Sequence, residues 1–509
     1  GPESAGIAAR ANATPLLIQV CGSTTAMITK HTYVGGQPRP SGLEPFDKRY
    51  PATGEVIAKI EPTSLEQLDE VIAEAAEAQK AWAALSGTER GRVLLRAAKI
   101  LQDRNEALSR VEVMDVGKAI AEAESGDVPS GPDALEYFGG IARDMPGTFH
   151  TYPGAVGFTQ RVPLGVCAGI GAWNYPTQIA CWKAAPALAA VNAFIHKPSE
   201  ETPLVAYEIA DALTEAGLPS GLFSIVQGDA TIGRALCEHP GVAKVSLTGG
   251  VDTGKLIIKQ SADTLKKVTL ELGGKSPLIV FEDANLDDAV GVALSANFYT
   301  AGEVCSNGTR VFVHRSIADK FLAEVVRRTA SIRVGDPMDR DVHVGALISE
   351  THMNKVLEYI EIGKAEGATL SAGGNRVRPQ GFENGYFVEP TVFSGCTDTM
   401  RIVREEIFGP VMSVLVFDDE DEAVSRANDT FFGLGAGLMT TSLARAHRVA
   451  DQLQSGSVWV NTYNICPPDL PFGGSKQSGF GRENSRFALE GYTEVRSTYM
   501  DLNNFEGAY

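Results

Sequence analysis

The chain has no apolar run approaching the roughly 20 residues that a bilayer-spanning helix needs. Cysteine is scarce and unpatterned: seven in 509 residues, at 21, 167, 181, 237, 305, 396 and 466, with no Cys-x-x-Cys and no Cys/His cluster. An odd, scattered set argues against a disulfide framework or a zinc site and for a reducing, cytoplasmic setting. Positive charge is also short. Forty-five Lys and Arg face 63 Asp and Glu, and the net charge of −18 repels nucleic acid and anionic membrane surfaces, so neither is expected as a partner. No short-period repeat is evident.

What is present is ordinary globular composition, 44% hydrophobic and 21% charged, in a chain long enough for about three structural units. Residues 1–27 stand apart. Gly1-Pro2 reads as a protease scar and Met27 as a native start, so the segment is treated as a tag or non-native extension.

Ser64 and Gln67 have capping-box spacing and open an amphipathic helix over 64–85, with Leu68, Ile72, Ala75 and Gln79 on one face. A second helix is expected over 89–111, then a hairpin of 148–152 and 155–162 around Pro153-Gly154. From Gly165 short apolar strands alternate with helices. Strands are expected at 166–170, 193–196, 222–226, 243–247 and 267–272, and helices at 178–190, 203–216, 230–238 and 253–263. Such βαβ alternation implies a mostly parallel, doubly wound sheet. Further units, including strands at 309–314 and near 411–417, imply a second α/β domain. Residues 492–500 alternate like an edge strand that would pair with the hairpin and form a projecting oligomer arm.

The strand at 243–247 runs into Thr248-Gly249-Gly250-Val-Asp-Thr-Gly254-Lys255-Leu256. A nucleotide-triphosphate loop would need Ser or Thr where Leu256 stands, so that reading is rejected. A strand, a Gly-bounded turn and a helix N-terminus remain, and these can receive a pyrophosphate. Cys305 lies among small and polar residues in Gly302-Glu303-Val-Cys305-Ser-Asn-Gly308. Thirty-four residues upstream stands Glu271, in Glu271-Leu-Gly-Gly-Lys-Ser-Pro277. A thiol nucleophile with a carboxylate base is a recognisable covalent pairing, although each residue alone has an ordinary structural explanation.

Taken in order, Gly171-Ala-Trp173-Asn174-Tyr175-Pro176, Lys197-Pro-Ser-Glu200, Thr248 to Gly254, the Glu271 and Cys305 segments, Glu405-Glu406-Ile-Phe408-Gly-Pro410 and Pro471-Phe472-Gly-Gly-Ser-Lys-Gln-Ser-Gly479 resemble the NAD(P)-dependent aldehyde dehydrogenases from about residue 35 onward. The resemblance implies an α/β fold of two doubly wound domains plus a small β oligomerisation arm. It assigns 28–145 with 164–273 to NAD binding, 274–476 to catalysis, and 146–163 with 488–509 to the arm of a tetramer or dimer. It makes Cys305 the nucleophile, Asn174 an oxyanion donor beside the Cys305 backbone amide, and Glu271 the base that releases the acid. The thiohemiacetal would pass a hydride to the nicotinamide and leave a thioester. Trp173, Lys197, Glu200, Gly249, Gly250, Gly254, Glu406 and Phe408 would bind the cofactor. Glu200 near the ribose favours NAD over NADP, with NADP left open.

Within the family the likeness is to the betaine aldehyde branch, implying a small, cationic aldehyde oxidised to glycine betaine, an osmoprotectant. Tyr175, Trp182, Tyr299 and Phe472 would form an aromatic box for the quaternary ammonium, and Cys466 would leave room for its methyl groups. Tyr175 and Trp182, seven apart, would share one helical wall. Trp459 reads as core, and Asp469 as an exposed loop carboxylate. ω-Aminoaldehydes and 4-trimethylaminobutyraldehyde are the alternative substrates. Three departures from the family pattern sustain a rival of another class, a weakly active or non-catalytic member with a structural role. They are Glu303 in place of Gln, Val191 in place of Gly, and His196 before Lys197. An ionised Glu303 two residues from Cys305 would raise the thiol pKa.

Overall fold

The computed structural model describes residues 27–503 and Gly507; except for Met27, the extension set apart above lies outside the described residues. Two large sheets organise the chain. In the first, the strands Lys267–Glu271, Lys244–Thr248, Val166–Ile170, Ala193–Lys197 and Phe223–Ile225 are neighbours in that order and all parallel. Antiparallel strands Gly479–Phe480 and Thr32–Val34 flank them. Val166–Ile170 and Ala193–Lys197 are buried at every position, as strands covered by helices on both faces must be. The chain runs outward from Val166–Ile170 in both directions. A topological switch point therefore lies between it and Lys244–Thr248, where ligands bind beyond the carboxyl ends of the strands.

The second sheet has seven strands, with Pro277–Val280, Arg310–His314, Val411–Phe417, Gly435–Met439 and Ser457–Val460 among its parallel members. The third is the expected arm. Thr493–Asp501 pairs antiparallel with Ala155–Pro163 over nine residues, and Ala155–Pro163 pairs with Phe149–Tyr152.

The capping box at Ser64 and Gln67 forms, and the helix Leu65–Ala83 buries Leu68, Ile72 and Ala75. The second helix differs from expectation. It is two helices, Gly87–Asp103 and Asn105–Val116, broken at Arg104, whose φ of −101° and ψ of 13° leave the helical basin. The apolar period continues across the break, so pattern alone could not place it. Val191 has φ 72°, the left-handed conformation that glycine adopts without cost, which accounts for glycine being the usual residue there. A β-branched side chain in that basin costs on the order of 1–3 kcal/mol. His196 is buried between Phe194 and Phe223, 6.4 Å from each, and burial holds it neutral with a pKa near 3.

Candidate active site

Cys305 is half-exposed within an otherwise buried run from Thr300 to Gly308. Three consecutive left-handed residues lead to it: Thr300 (φ 49°), Ala301 (φ 51°) and Gly302 (φ 76°). Such a backbone persists only when its surroundings over-determine it. Both Glu122 carboxylate oxygens accept the Thr300 amide, at 3.1 and 3.0 Å. Gly302 presses so closely on Gly409 that no Cβ would fit. After the cysteine, the Ser306 hydroxyl donates to Asn464 Oδ1 (2.6 Å), and the Tyr463 hydroxyl donates to the Ser306 carbonyl (3.0 Å).

Asn174 follows the strand Val166–Ile170 at the switch point. Its Nδ2 donates to the Glu303 carbonyl at 2.9 Å, which turns the amide toward the cysteine turn and leaves its second N–H free. The Asn174 carbonyl accepts from Lys118 Nζ at 2.8 Å. Lys118 is fully buried, pairs with Glu112 (3.2 Å) and Asp127, and sits 4.1 Å from the centre of the Tyr175 ring. The sequence reading missed this lysine. Glu112, Asp115 and Lys118 look like charges on a solvated face, yet all three are buried.

Glu271 ends its strand, and its carbonyl accepts from the Gly249 amide at 3.0 Å, so the glycine turn and the candidate base share a hydrogen bond. Its carboxylate is buried, and neither oxygen has a hydrogen-bond partner among the described residues. A Cβ at Gly473 would come within 2.7 Å of Glu271 Oε1, which explains the glycine after Phe472. Burial, then repulsion from Glu483, hold the Glu271 carboxyl well above its usual range, opposed by Lys183 and Arg482. Glu483 and Lys183, also missed from sequence, form a buried pair at 2.5 Å, with Lys183 also donating to Ser246 Oγ at 2.9 Å.

Between base and nucleophile, Gly273 leaves room for the Glu406 carboxylate and Gly274 for the Cys305 carbonyl. The Gly274 amide donates to Glu406 Oε1 at 2.9 Å, and burial lifts Glu406 to about 7. Burial first, then Glu406 and Glu271, push the Cys305 thiol up. Glu303 is not among those charges. Its carboxyl is 1% exposed and accepts the Ile348 amide at 2.9 Å, and burial holds it well above the usual carboxylate range. Burial therefore disfavours the ionised form of Glu303 that would act on Cys305.

The candidate cofactor residues fall at the carboxyl ends of the first sheet and on the facing loop. Lys197 Nζ lies 3.3 Å from Glu200, whose side chain is half-exposed. Gly250 caps the helix Val251–Ser261 and has open space where a Cβ would be. The first-turn amides there are free to receive a pyrophosphate. The helix opens at Val251, two residues before the expected 253, and the Gly254 amide is bonded to the Gly250 carbonyl. Its lack of a side chain serves packing, since a Cβ would meet Leu272 at 2.7 Å. The Gly249 amide, bonded to Glu271, is likewise not a free donor. Phe408 (φ 62°) stands edge-on to Trp173 at 5.1 Å, and both pack against His352.

Of the aromatic box, Trp182 and Phe472 meet edge-on at 5.7 Å. Tyr175 is not on a helical wall with Trp182. It precedes the helix Pro176–Ala189 with φ −135°, so helical spacing does not apply, and its hydroxyl bonds Thr300 Oγ1 at 2.9 Å. Tyr175 and Cys466 are both within electrostatic reach of Cys305. Trp459 is core, its indole N–H donating to the Ile465 carbonyl at 2.8 Å and steadying the loop before Cys466. Asp469 is exposed.

A sequence model of the aldehyde dehydrogenase family matches residues 39–498. The chain belongs to the aldehyde dehydrogenase family. Among curated relatives, the betaine aldehyde dehydrogenase of Agrobacterium fabrum is 56% identical over 466 residues, covering 91% of this chain and 94% of the relative. That of Sinorhizobium fredii is 56% identical over 461 residues, covering 90% and 94%. Among solved structures, the NAD+ complex of an aldehyde dehydrogenase from Bacillus cereus superposes with a TM-score of 0.91 at 38% identity, covering 93% of this chain and 97% of that one. The family's two α/β units and β arm are the sheets described above, and no helix among the described residues is long and apolar enough to cross a membrane.

Proposed function

We propose that the protein oxidises betaine aldehyde to glycine betaine with NAD as electron acceptor. The convergence of Cys305, the free Asn174 N–H and the buried Glu271 around one glycine-lined joint carries the chemistry. The names of the 56%-identical relatives and the edge-on pair of Trp182 and Phe472 support the substrate. Cys305 adds to the aldehyde carbon, and the new oxyanion takes hydrogen bonds from Asn174 Nδ2 and the Cys305 amide, each such donor contributing about 3 kcal/mol. When bound, NAD supplies the hydride acceptor. The acyl group is left as a thioester on Cys305. Glu271, once deprotonated, takes a proton from water, which adds to the thioester; the acid leaves and the thiol is restored. The free amides after Gly250 fit a pyrophosphate, Lys197 and Glu200 a ribose with a free 2′-hydroxyl, and Glu406, Phe408 and Trp173 the nicotinamide end. At Gly250 nothing lies where a Cβ would be, which leaves room for the pyrophosphate.

The exposed Phe149, Tyr152, Val495 and Tyr499 on the three-stranded sheet support its use as a contact in a homodimer or homotetramer. The eight-stranded sheet, the seven-stranded sheet and the sheet of Thr493–Asp501 support a division into 28–145 with 164–273, 274–476, and an arm of 146–163 with 488–509, although Gly479–Phe480 of the first sheet falls outside those bounds. The free thiols at all six described cysteines suit a cytoplasmic setting.

NADH absorbance across betaine aldehyde, 4-aminobutyraldehyde and 4-trimethylaminobutyraldehyde, with NAD and with NADP, tests the reading. The highest kcat/KM is expected for betaine aldehyde with NAD. Trp182→Ala should raise KM for betaine aldehyde about tenfold, with a much smaller effect on an uncharged aldehyde of equal size; equal effects on both would remove the aromatic box.

A further inference from the structure

The sequence reading gave no role to Glu122, yet two aromatic residues hang from it. It is the last residue of the short helix Ile120–Glu122, and the next five, Ala123–Asp127, form a π-helical turn. Such turns are rare and recur at functional sites. The Glu122 carboxylate holds the Thr300 amide with both oxygens, and its carbonyl accepts the Tyr299 hydroxyl at 3.2 Å. Thr300 in turn carries the Tyr175 hydroxyl at 2.9 Å. Gly126, inside the π turn, has no side chain because a Cβ there would lie 2.5 Å from the Tyr299 hydroxyl. One face of Tyr175 is already occupied by Lys118, 4.1 Å from its centre.

A cation–π contact needs the charge over a ring face within about 6 Å of its centre, so its strength depends on ring tilt. A tyrosine tethered at its hydroxyl has that tilt fixed. We propose that Glu122 is a positioning residue for substrate choice, setting the Tyr175 and Tyr299 rings through the Thr300 and Tyr299 hydrogen bonds so that they present faces to a quaternary ammonium head. This rests on the reading above that these tyrosines line the aldehyde's path. The state of Glu122 agrees with a hydrogen-bonding role. Burial pushes its carboxyl up to about 8 against the pull of the Thr300 amide and Lys118, so a neutral acid, equivalent to glutamine as an acceptor, prevails at neutral pH.

The test compares betaine aldehyde with 3,3-dimethylbutanal, its uncharged carbon isostere, by kcat and KM. Glu122→Ala, which also releases the Cys305 turn, should lower kcat for both aldehydes by the same factor and raise KM for betaine aldehyde about tenfold more than KM for the isostere. Glu122→Gln, which keeps an oxygen for the Thr300 amide, should recover most of that loss. Gly126→Ala, which crowds the Tyr299 hydroxyl and leaves Glu122 untouched, should give a smaller rise with the same selectivity, and it decides the matter if Glu122→Ala does not fold. An equal change in KM for both aldehydes, or a fall in kcat alone, would show that Glu122 serves only the Cys305 turn and overturn the proposal. So would Glu122→Gln behaving like Glu122→Ala. A wild-type enzyme that does not prefer betaine aldehyde to the isostere overturns the substrate reading, before any variant is made.

Discussion

The two groups proposed to react, Cys305 and Glu271, are held in opposite ways. The Cys305 turn is fixed from every side. Glu122 holds Thr300, the Ile348 amide bonds Glu303, Gly409 backs Gly302, and Asn464 and Tyr463 hold Ser306. The backbone there is strained, and the contacts offset the strain. Glu271 stands at the end of a regular strand with unstrained backbone, and its carboxylate touches no donor. A nucleophile must meet a carbonyl at one angle, so it is placed rigidly. A base that first leaves room for the cofactor's chemistry and then approaches water gains from being untied. An untied carboxylate in a buried site also holds its proton, so its readiness depends on pH.

The sharpest way to break this comparison is Glu271→Gln. With the base gone but the nucleophile intact, acid release should slow on the order of 10²–10⁴-fold. A rapid burst of about one NADH per site should survive in stopped-flow absorbance. Loss of the burst would mean that Glu271 also serves the first half-reaction. In the wild type, acid release should speed up as pH rises toward the raised Glu271 pKa, because only the ionised form accepts a proton. Asn174→Ala attacks the other side. Removing one oxyanion donor should slow the burst itself by about 10²–10³-fold. A normal burst with slow acid release would place Asn174 with the base and not with the nucleophile.

The sequence carried most of what the two sheets needed. Strands buried on both faces are continuous apolar runs, so Val166–Ile170 and Val411–Phe417 begin and end where their sequences do. The motif segments also land together at the strand ends. What stayed hidden was set by tertiary neighbours. The break at Arg104 interrupts no apolar period, and the π turn at Ala123–Asp127 has no residue signature. Lys118, Lys183 and Glu483 are charged residues whose ordinary place is the surface, and only the fold shows that each has a buried partner. That Gly254 packs its Cα against Leu272 is also not legible in sequence, where a glycine for close helix–strand packing looks the same as one for phosphate.

Glu303 gives the smallest expected effect and the finest test of how the nucleophile is held. In sequence it is a negative charge beside a thiol; in the fold it is a buried carboxyl whose ionised form burial disfavours, which accepts the Ile348 amide and whose carbonyl anchors Asn174. If burial keeps the wild-type carboxyl protonated, Glu303→Gln leaves the pH–rate profile of the burst unchanged. Stability should tell the two apart. The folded-state pKa of Glu303 lies above its ordinary 4.5, so the favourable contribution of the protonated acid is complete below 4.5 and is lost as pH rises through the folded value. Glutamine loses nothing over that interval. The variant should gain on the wild type by up to ~1.4 kcal/mol for each pH unit above the ordinary value until the folded pKa is reached, read as a difference in Tm that widens with pH. A difference that stays flat with pH, or a burst profile that moves, would return Glu303 to the charged state its sequence position suggested.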